Sequence, residues 1–145
     1  MNNREETRRF YNQISDQTFR EWFDNPALMP TLKSFLADFS PKPLILDLGC
    51  GTGGETKRLI SLGADVIGID FSENSLKLAK ENVGGAEFIL MDIVDMNFEN
   101  GYFDGVVEAG VLFHFKEDEQ NNILNKIHSI LKPNGKFLSY YPEGT

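Results

Sequence analysis

At 145 residues, with 14 basic and 22 acidic side chains, a net charge of -8 and a pI near 4.7, the chain is sized for one domain with a real core. Its acidity disfavours nucleic acid, whose capture depends on phosphate neutralisation, and leaves a small molecule, ahead of a protein, as the expected substrate. A single cysteine (Cys50) precludes an intrachain disulfide, two histidines (His114 and His128) without paired cysteines offer no metal-ligand spacing, and the charged start "MNNREETRRF" with only short apolar runs fits a cytoplasmic protein without secretory signal or membrane span.

Residues 1–42 read as an N-terminal helical cap: "RRFYNQISDQTFREWFDN" and "TLKSFLADF" predict two helices separated by the break "NPALMP". The cap carries Phe10, Tyr11, Phe19, Trp22 and Phe23. A helix packed over a sheet accounts for them most simply, and a lid whose aromatic faces meet a cationic ligand is the alternative. From Pro43 to residue 145 short apolar runs alternate with helical patterns, the signature of strand-helix-strand units and a parallel sheet. The expected strands are "LILDL" (Leu44 to Leu48), "DVIGI" (Asp65 to Ile69), "EFILM" (Glu87 to Met91), "FDGVVEA" (Phe103 to Ala109) and "KFLSYY" (Lys136 to Tyr141). Between them, Ser72 caps a helix with Leu76, Ala79 and Val83 on one face. "EDEQNNILNKIHSILK" forms a second crossover, acidic at its start, with Ile123, Ile127, Ile130 and Leu131 on its apolar face, and it feeds the last strand through "PNG".

The first strand runs into a glycine turn, "LILDLGCGTGGET", which lets backbone approach a ligand and aims helix N-terminal N–H groups at it. The glycines at 49, 51 and 54 satisfy the dinucleotide spacing G-x-G-x-x-G, whereas Asp47 to Gly53 reads D-x-G-x-G-x-G. Asp70, at the end of the next strand, is placed to accept hydrogen bonds from ribose hydroxyls, which either cofactor class provides. Asp47 discriminates by charge: a carboxylate two residues before the first glycine repels a pyrophosphate and stabilises an amino group and a sulfonium.

The strings "LDLGCGTG", "GIDFSENSL", "MDIVDMNF", "FDGVVEAGVLFHF" and "LKPNGKF", in that order from about Pro43 to the end, resemble a class I S-adenosylmethionine-dependent methyltransferase of the small type 11/25 sort. That resemblance implies an α/β fold: a Rossmann-like, doubly wound, mainly parallel sheet with helices on both faces and the ligand at the carboxyl ends of the strands. It implies that Asp47, Gly49, Gly51 and Gly53 form the turn beside the methionine part of S-adenosylmethionine, and that Asp70 holds the ribose. It places Phe71 beside the adenine, with Leu76 as a second candidate for that slot, and has Asp92 accept from the adenine amino group between Met91 and Ile93. Glu108 falls near the methionine end, and Tyr11 matches an aromatic of the leading helix. Each position has a plainer alternative: close helix packing for Gly53 and Gly54, helix capping for Asp70, a solvated turn for Asp92, and a small residue in a tight loop for Cys50.

Methyl transfer from a sulfonium is a direct displacement, so alignment of the acceptor, worth about 7–11 kcal/mol, replaces a nucleophilic side chain. A base is needed only if the acceptor must lose a proton, and Glu108 and His114 are the two candidates. The apolar string "VLFHF" favours a packing role for His114, and His128 reads as a surface residue. The chain departs from the family after "YYPEGT", where relatives add a helix and a two-strand hairpin. Two expectations follow: a longer native chain that supplies those elements or, if nothing follows, an uncovered edge beside "KFLSYY" that favours self-association. Two further readings are a cofactor-binding module without catalysis, and an NAD-dependent oxidoreductase built on the glycines at 49, 51 and 54.

Overall fold

Along β1 (Leu44–Leu48) successive side chains enter opposite layers: Leu46 and Leu48 pack on one face, Ile45 on the other, and all three are fully buried. A strand apolar on both faces belongs inside a parallel sheet covered by helices. The computed structural model, which describes residues 3–140, shows that arrangement. β1 pairs in parallel with β2 (Asp65–Asp70) and with β4 (Phe103–Ala109), β2 with β3 (Ala86–Leu90), and β4 with β5 (Leu131–Tyr140), giving the order β3-β2-β1-β4-β5.

The helices divide between the faces. α5 (Glu117–Ile130) lays Ile123, Ile127 and Ile130 against Leu46, Leu48, Ile69 and Val106. α2 (Met29–Leu36) and α3 (Gly54–Ser61) cover Ile45, Val66 and Val107 with Leu32 and Leu59. α4 (Glu73–Asn82) joins that second side through Leu76 and Ala79, which pack with Phe23, Cys50 and Phe88. Ser72 caps α4 as expected, its hydroxyl accepting from the Ser75 N–H at 3.2 Å.

The leading segment forms α1 (Asn3–Trp22), longer than its aromatic core suggested, followed by α2. α1 is fastened to the sheet body by Phe19, which packs against the Leu76, Ala79 and Phe88 cluster, and by polar side chains. Asn12 Oδ1 accepts from Ser72 Oγ at 2.6 Å, and Asn74 Nδ2 donates to the Asn12 carbonyl at 2.9 Å. At the far end, Arg58 Nη1 donates to the Phe23 carbonyl at 2.7 Å.

Three strands differ from expectation, and the first, β2, runs one residue further, to Asp70. β3 starts and ends one residue early, so Met91 lies beyond the strand, half-buried against the α5 core. β5 begins at Leu131, which pairs with Phe103 rather than ending α5; the register then shifts, and Asn134, at φ 68°, absorbs the slack before Lys136 pairs with Gly105. Tyr141, the last residue of the expected strand, lies outside the described residues. Among the described residues, no helix is long and apolar enough to cross a membrane, and no group of three or more His, Cys, Asp or Glu side chains is placed to hold a metal ion.

Candidate active site

The carboxyl ends of β1, β2 and β4 open into a cavity of about 600 Å³, roofed by α1. A crevice there, where the strand order reverses about β1, is the expected ligand position in a sheet of this kind. Its floor is the turn after β1. Gly49, Gly51 and Gly53 have φ of +71°, +55° and +93°, values that side-chain-bearing residues rarely adopt. A Cβ on Gly49 would lie 2.6 Å from a Val111 methyl, whereas a Cβ on Gly51 would meet nothing within 4 Å. The turn therefore packs tightly against the loop after β4 and stays open toward the cavity at Gly51.

Asp70 ties this turn to the end of β2. Its Oδ2 accepts from the Gly51 N–H at 2.9 Å and its Oδ1 from the Ser72 N–H at 2.8 Å. Burial raises the carboxyl pKa above its ordinary value, and the backbone N–H groups of Ser72, Gly51 and Phe71 oppose that rise. A carboxylate has about four acceptor sites, so with three N–H groups on it Asp70 keeps capacity for a further donor, and the residue lines the cavity. Asp70 both caps the following turn and lines the cavity, so its capping role leaves it placed toward the cavity.

The opposite wall is aromatic. Tyr11 of α1 and His114 after β4 share a hydrogen bond of 2.7 Å between the hydroxyl and Nε2, and both line the cavity. Burial, then the Asp70 charge, raises the Tyr11 pKa; burial, then Arg4, lowers that of His114 against the pull of Glu108. His114 is thus biased toward the neutral imidazole, and it belongs to the cavity wall rather than to the apolar core. His128 is exposed on α5, as expected.

Several expected ligand contacts are instead supports. Asp47 does not point into the loop: it is 2% exposed, lies beneath the turn, and its Oδ2 accepts from Thr56 Oγ1 of α3 at 2.6 Å. Burial, with Glu55 and Asp70 nearby, pushes its carboxyl pKa up to about 7. Gly53 serves helix packing, since a Cβ there would lie 3.0 Å from Val83 and 3.2 Å from Ala79. Leu76 is core, not cavity. Glu108 is fully buried: Oε1 accepts from the Val111 and Leu112 N–H groups at 2.5 and 2.9 Å, and Oε2 from Ser139 Oγ at 2.6 Å. All its described hydrogen bonds go to the loop after β4 and to β5, which argues against a role as base or ligand contact. Cys50, with its thiol pushed well up by burial and by Asp47 and Asp70, packs against Gly68, where a Cβ would sit 2.9 Å from Sγ.

At the β2 and β3 end, Phe71 and Ile93 line the cavity, while Met91 and Asp92 do not. Asp92 caps the short turn Ile93–Asp95 through the Val94 N–H at 3.2 Å and is ion-paired with Arg4. Arg4, Asn12, Thr56 and Phe115 are the functional neighbours that sequence reasoning missed. Arg4, Asn12 and Thr56 carry no motif, and Phe115 ends the apolar string that holds His114.

Comparison with known proteins agrees with this geometry. Residues 45–135 match the methyltransferase domain family. The chain is 37% identical over 98 residues to an uncharacterized methyltransferase of Synechocystis, covering 68% of this chain and 46% of the relative, so it spans less than half of that relative's length. Among solved structures, a protein of Pyrococcus horikoshii superposes with a TM-score of 0.70 at 33% identity, covering 77% of this chain and 53% of the other. The magnesium protoporphyrin IX methyltransferase of Synechocystis, solved with bound S-adenosylmethionine, superposes with a TM-score of 0.74 at 21% identity over 90% of this chain and 73% of its own, a likeness of fold. The chain belongs to the methyltransferase domain family.

Proposed function

With family membership as the premise, we propose that this protein is an S-adenosylmethionine-dependent methyltransferase acting on a small molecule. The observation that carries the reading is the Gly49–Gly53 turn closed onto the Asp70 carboxylate at the floor of the cavity. That arrangement suits a nucleoside: Gly51 leaves room for close approach, and Asp70 has unused acceptor capacity for ribose hydroxyls. The displaced Asp47 weakens the charge argument against a dinucleotide, so the preference over NAD rests on the family match.

Bound S-adenosylmethionine supplies an activated methyl carbon on a neutral leaving group. The chain's own residues orient and shield. Phe71 and Ile93 flank the adenine end, and Asp70 takes the ribose. Glu108 acts at a distance, holding the 111–112 backbone in place as the wall that meets Gly49. α1 serves as the lid, and its Tyr11 presents a hydroxyl to His114 at the acceptor side of the cavity. A neutral His114 can take an acceptor proton on Nε2 if Tyr11 donates elsewhere, or order the acceptor through the Tyr11 hydroxyl. A cavity of about 600 Å³ is within the range for a drug-sized ligand, which favours a compact acceptor.

Calorimetric titration with S-adenosylmethionine, S-adenosylhomocysteine and NADH tests the proposal. The two sulfur nucleosides should bind, NADH should not, and Asp70→Ala should weaken the sulfur nucleosides about a hundredfold by removing charge-assisted hydrogen bonds. Preferential NADH binding would establish the oxidoreductase reading instead.

A further inference from the structure

The adenine end of the cavity already holds a planar, nitrogen-rich group of the chain itself. Arg4, in the first turn of α1, projects its guanidinium between two rings, with Cζ 4.7 Å from the Phe71 centroid and 4.4 Å from the Phe115 centroid. Its Nη2 pairs with Asp92 Oδ1. Arg4 lines the cavity beside Phe71, Ile93 and Phe115. A guanidinium is flat, stacks on aromatic faces and donates in its own plane. An adenine ring with its exocyclic amino group has the same three properties.

We infer that Arg4 is an internal plug of the adenine subsite, which an adenine-bearing ligand must displace from Phe71, Phe115 and Asp92 before it can seat. This rests on the cofactor reading above, because it takes Phe71 and Ile93 as the flanks of the adenine end, with Asp92 reached by a ligand only once Arg4 has left it. The inference explains why Asp92, expected to meet adenine, is instead ion-paired with α1. It also assigns the two ends of the lid different duties. The middle and far end of α1 are fastened through Asn12 and Phe23 to Ser72, Asn74 and Arg58. The first turn is fastened through Phe71, Phe115 and Asp92, the groups at the adenine end itself, so it can release while the rest of the helix stays in place.

Displacement lowers apparent affinity by the fraction of molecules in which the plug is out, and removing the plug restores the intrinsic value. Titration of the full chain with S-adenosylhomocysteine and adenosine should therefore show both binding Arg4→Ala about tenfold more tightly than the wild type, with Arg4→Lys, which keeps charge without the plane, in between. In the wild type, amide hydrogen exchange over residues 4–11 should quicken on addition of S-adenosylhomocysteine while residues 12–20 keep their protection. Equal or weaker affinity in Arg4→Ala overturns the plug and leaves the cofactor reading standing. Slowed exchange over residues 4–11 overturns it without any substitution. No binding of either ligand to wild type or variants overturns the cofactor reading and the plug together.

Discussion

The turn after β1 and the lid α1 face each other across one cavity, yet they are held in different ways. Gly49 to Gly53 is fixed by left-handed backbone, by an N–H bond to a buried carboxylate and by contact with Val111. α1 is fixed by separate ties, among them Arg4 to Asp92, Tyr11 to His114, Asn12 to Ser72 and Asn74, and, just past its end, Phe23 to Arg58. A wall made of backbone has one shape, because changing it means breaking several φ/ψ restraints together. A wall tied by separate side chains can part at one tie and hold at the others. The contrast divides the labour of the site: the strand-end turn supplies a rigid seat, and the helix supplies the part that can open.

The sharpest test lies beneath the rigid wall, at Asp47. The folded carboxyl titrates at about 7 against 3.8 in the unfolded chain, so as pH rises the unfolded chain releases its proton first. The stability associated with this group is full below the unfolded value, declines between the two and is flat above the folded one. Asp47→Asn keeps an acceptor for Thr56 without that titration. Urea unfolding should show the variant gaining on the wild type by about 4 kcal/mol between roughly pH 4 and pH 8. A pH-independent difference would mean that burial of this charge does not govern the turn's support.

Gly49→Ala should follow, costing about 3 kcal/mol by equilibrium unfolding, since the added methyl meets Val111 at 2.6 Å in a left-handed conformation. Gly51→Ala, with open space around its Cβ, should cost only about 1 kcal/mol. Similar costs at both positions would break the picture of a turn packed on one side and open on the other. The smallest stability effect belongs to the helical wall. Tyr11→Phe removes an exposed hydrogen bond to His114 and should leave unfolding within about 0.5 kcal/mol of wild type. Methyl transfer should fall with S-adenosylhomocysteine affinity unchanged; equal loss of both would place Tyr11 in cofactor binding.

How the fold shows in the sequence follows from the range of the forces involved. β1 and β4 were legible to the residue because an apolar run bounded by turn residues is a local pattern. The glycine turn and Asp70 were legible because backbone sign and strand-end position are set within a few residues. Asp47 and Glu108 were misplaced for a common reason. Each is a carboxylate in a strand whose side chain can serve a ligand or the protein, and the choice depends on what packs beside it: Thr56 from α3 in one case, Ser139 from β5 and the backbone after β4 in the other. β5 began early because Leu131 found Phe103 on another strand, a pairing that helical periodicity does not encode.

The sequence by itself determined a parallel α/β sheet, a glycine turn with an acid at the end of the next strand, and a resemblance that the family match confirms. Tertiary structure decided which acids face the cavity and which are struts, and it brought Arg4 to Phe71, Phe115 and Asp92, and Tyr11 to His114. Those pairings join residues far apart in the chain, and only the packing of α1 over the strand ends brings them within reach of one another.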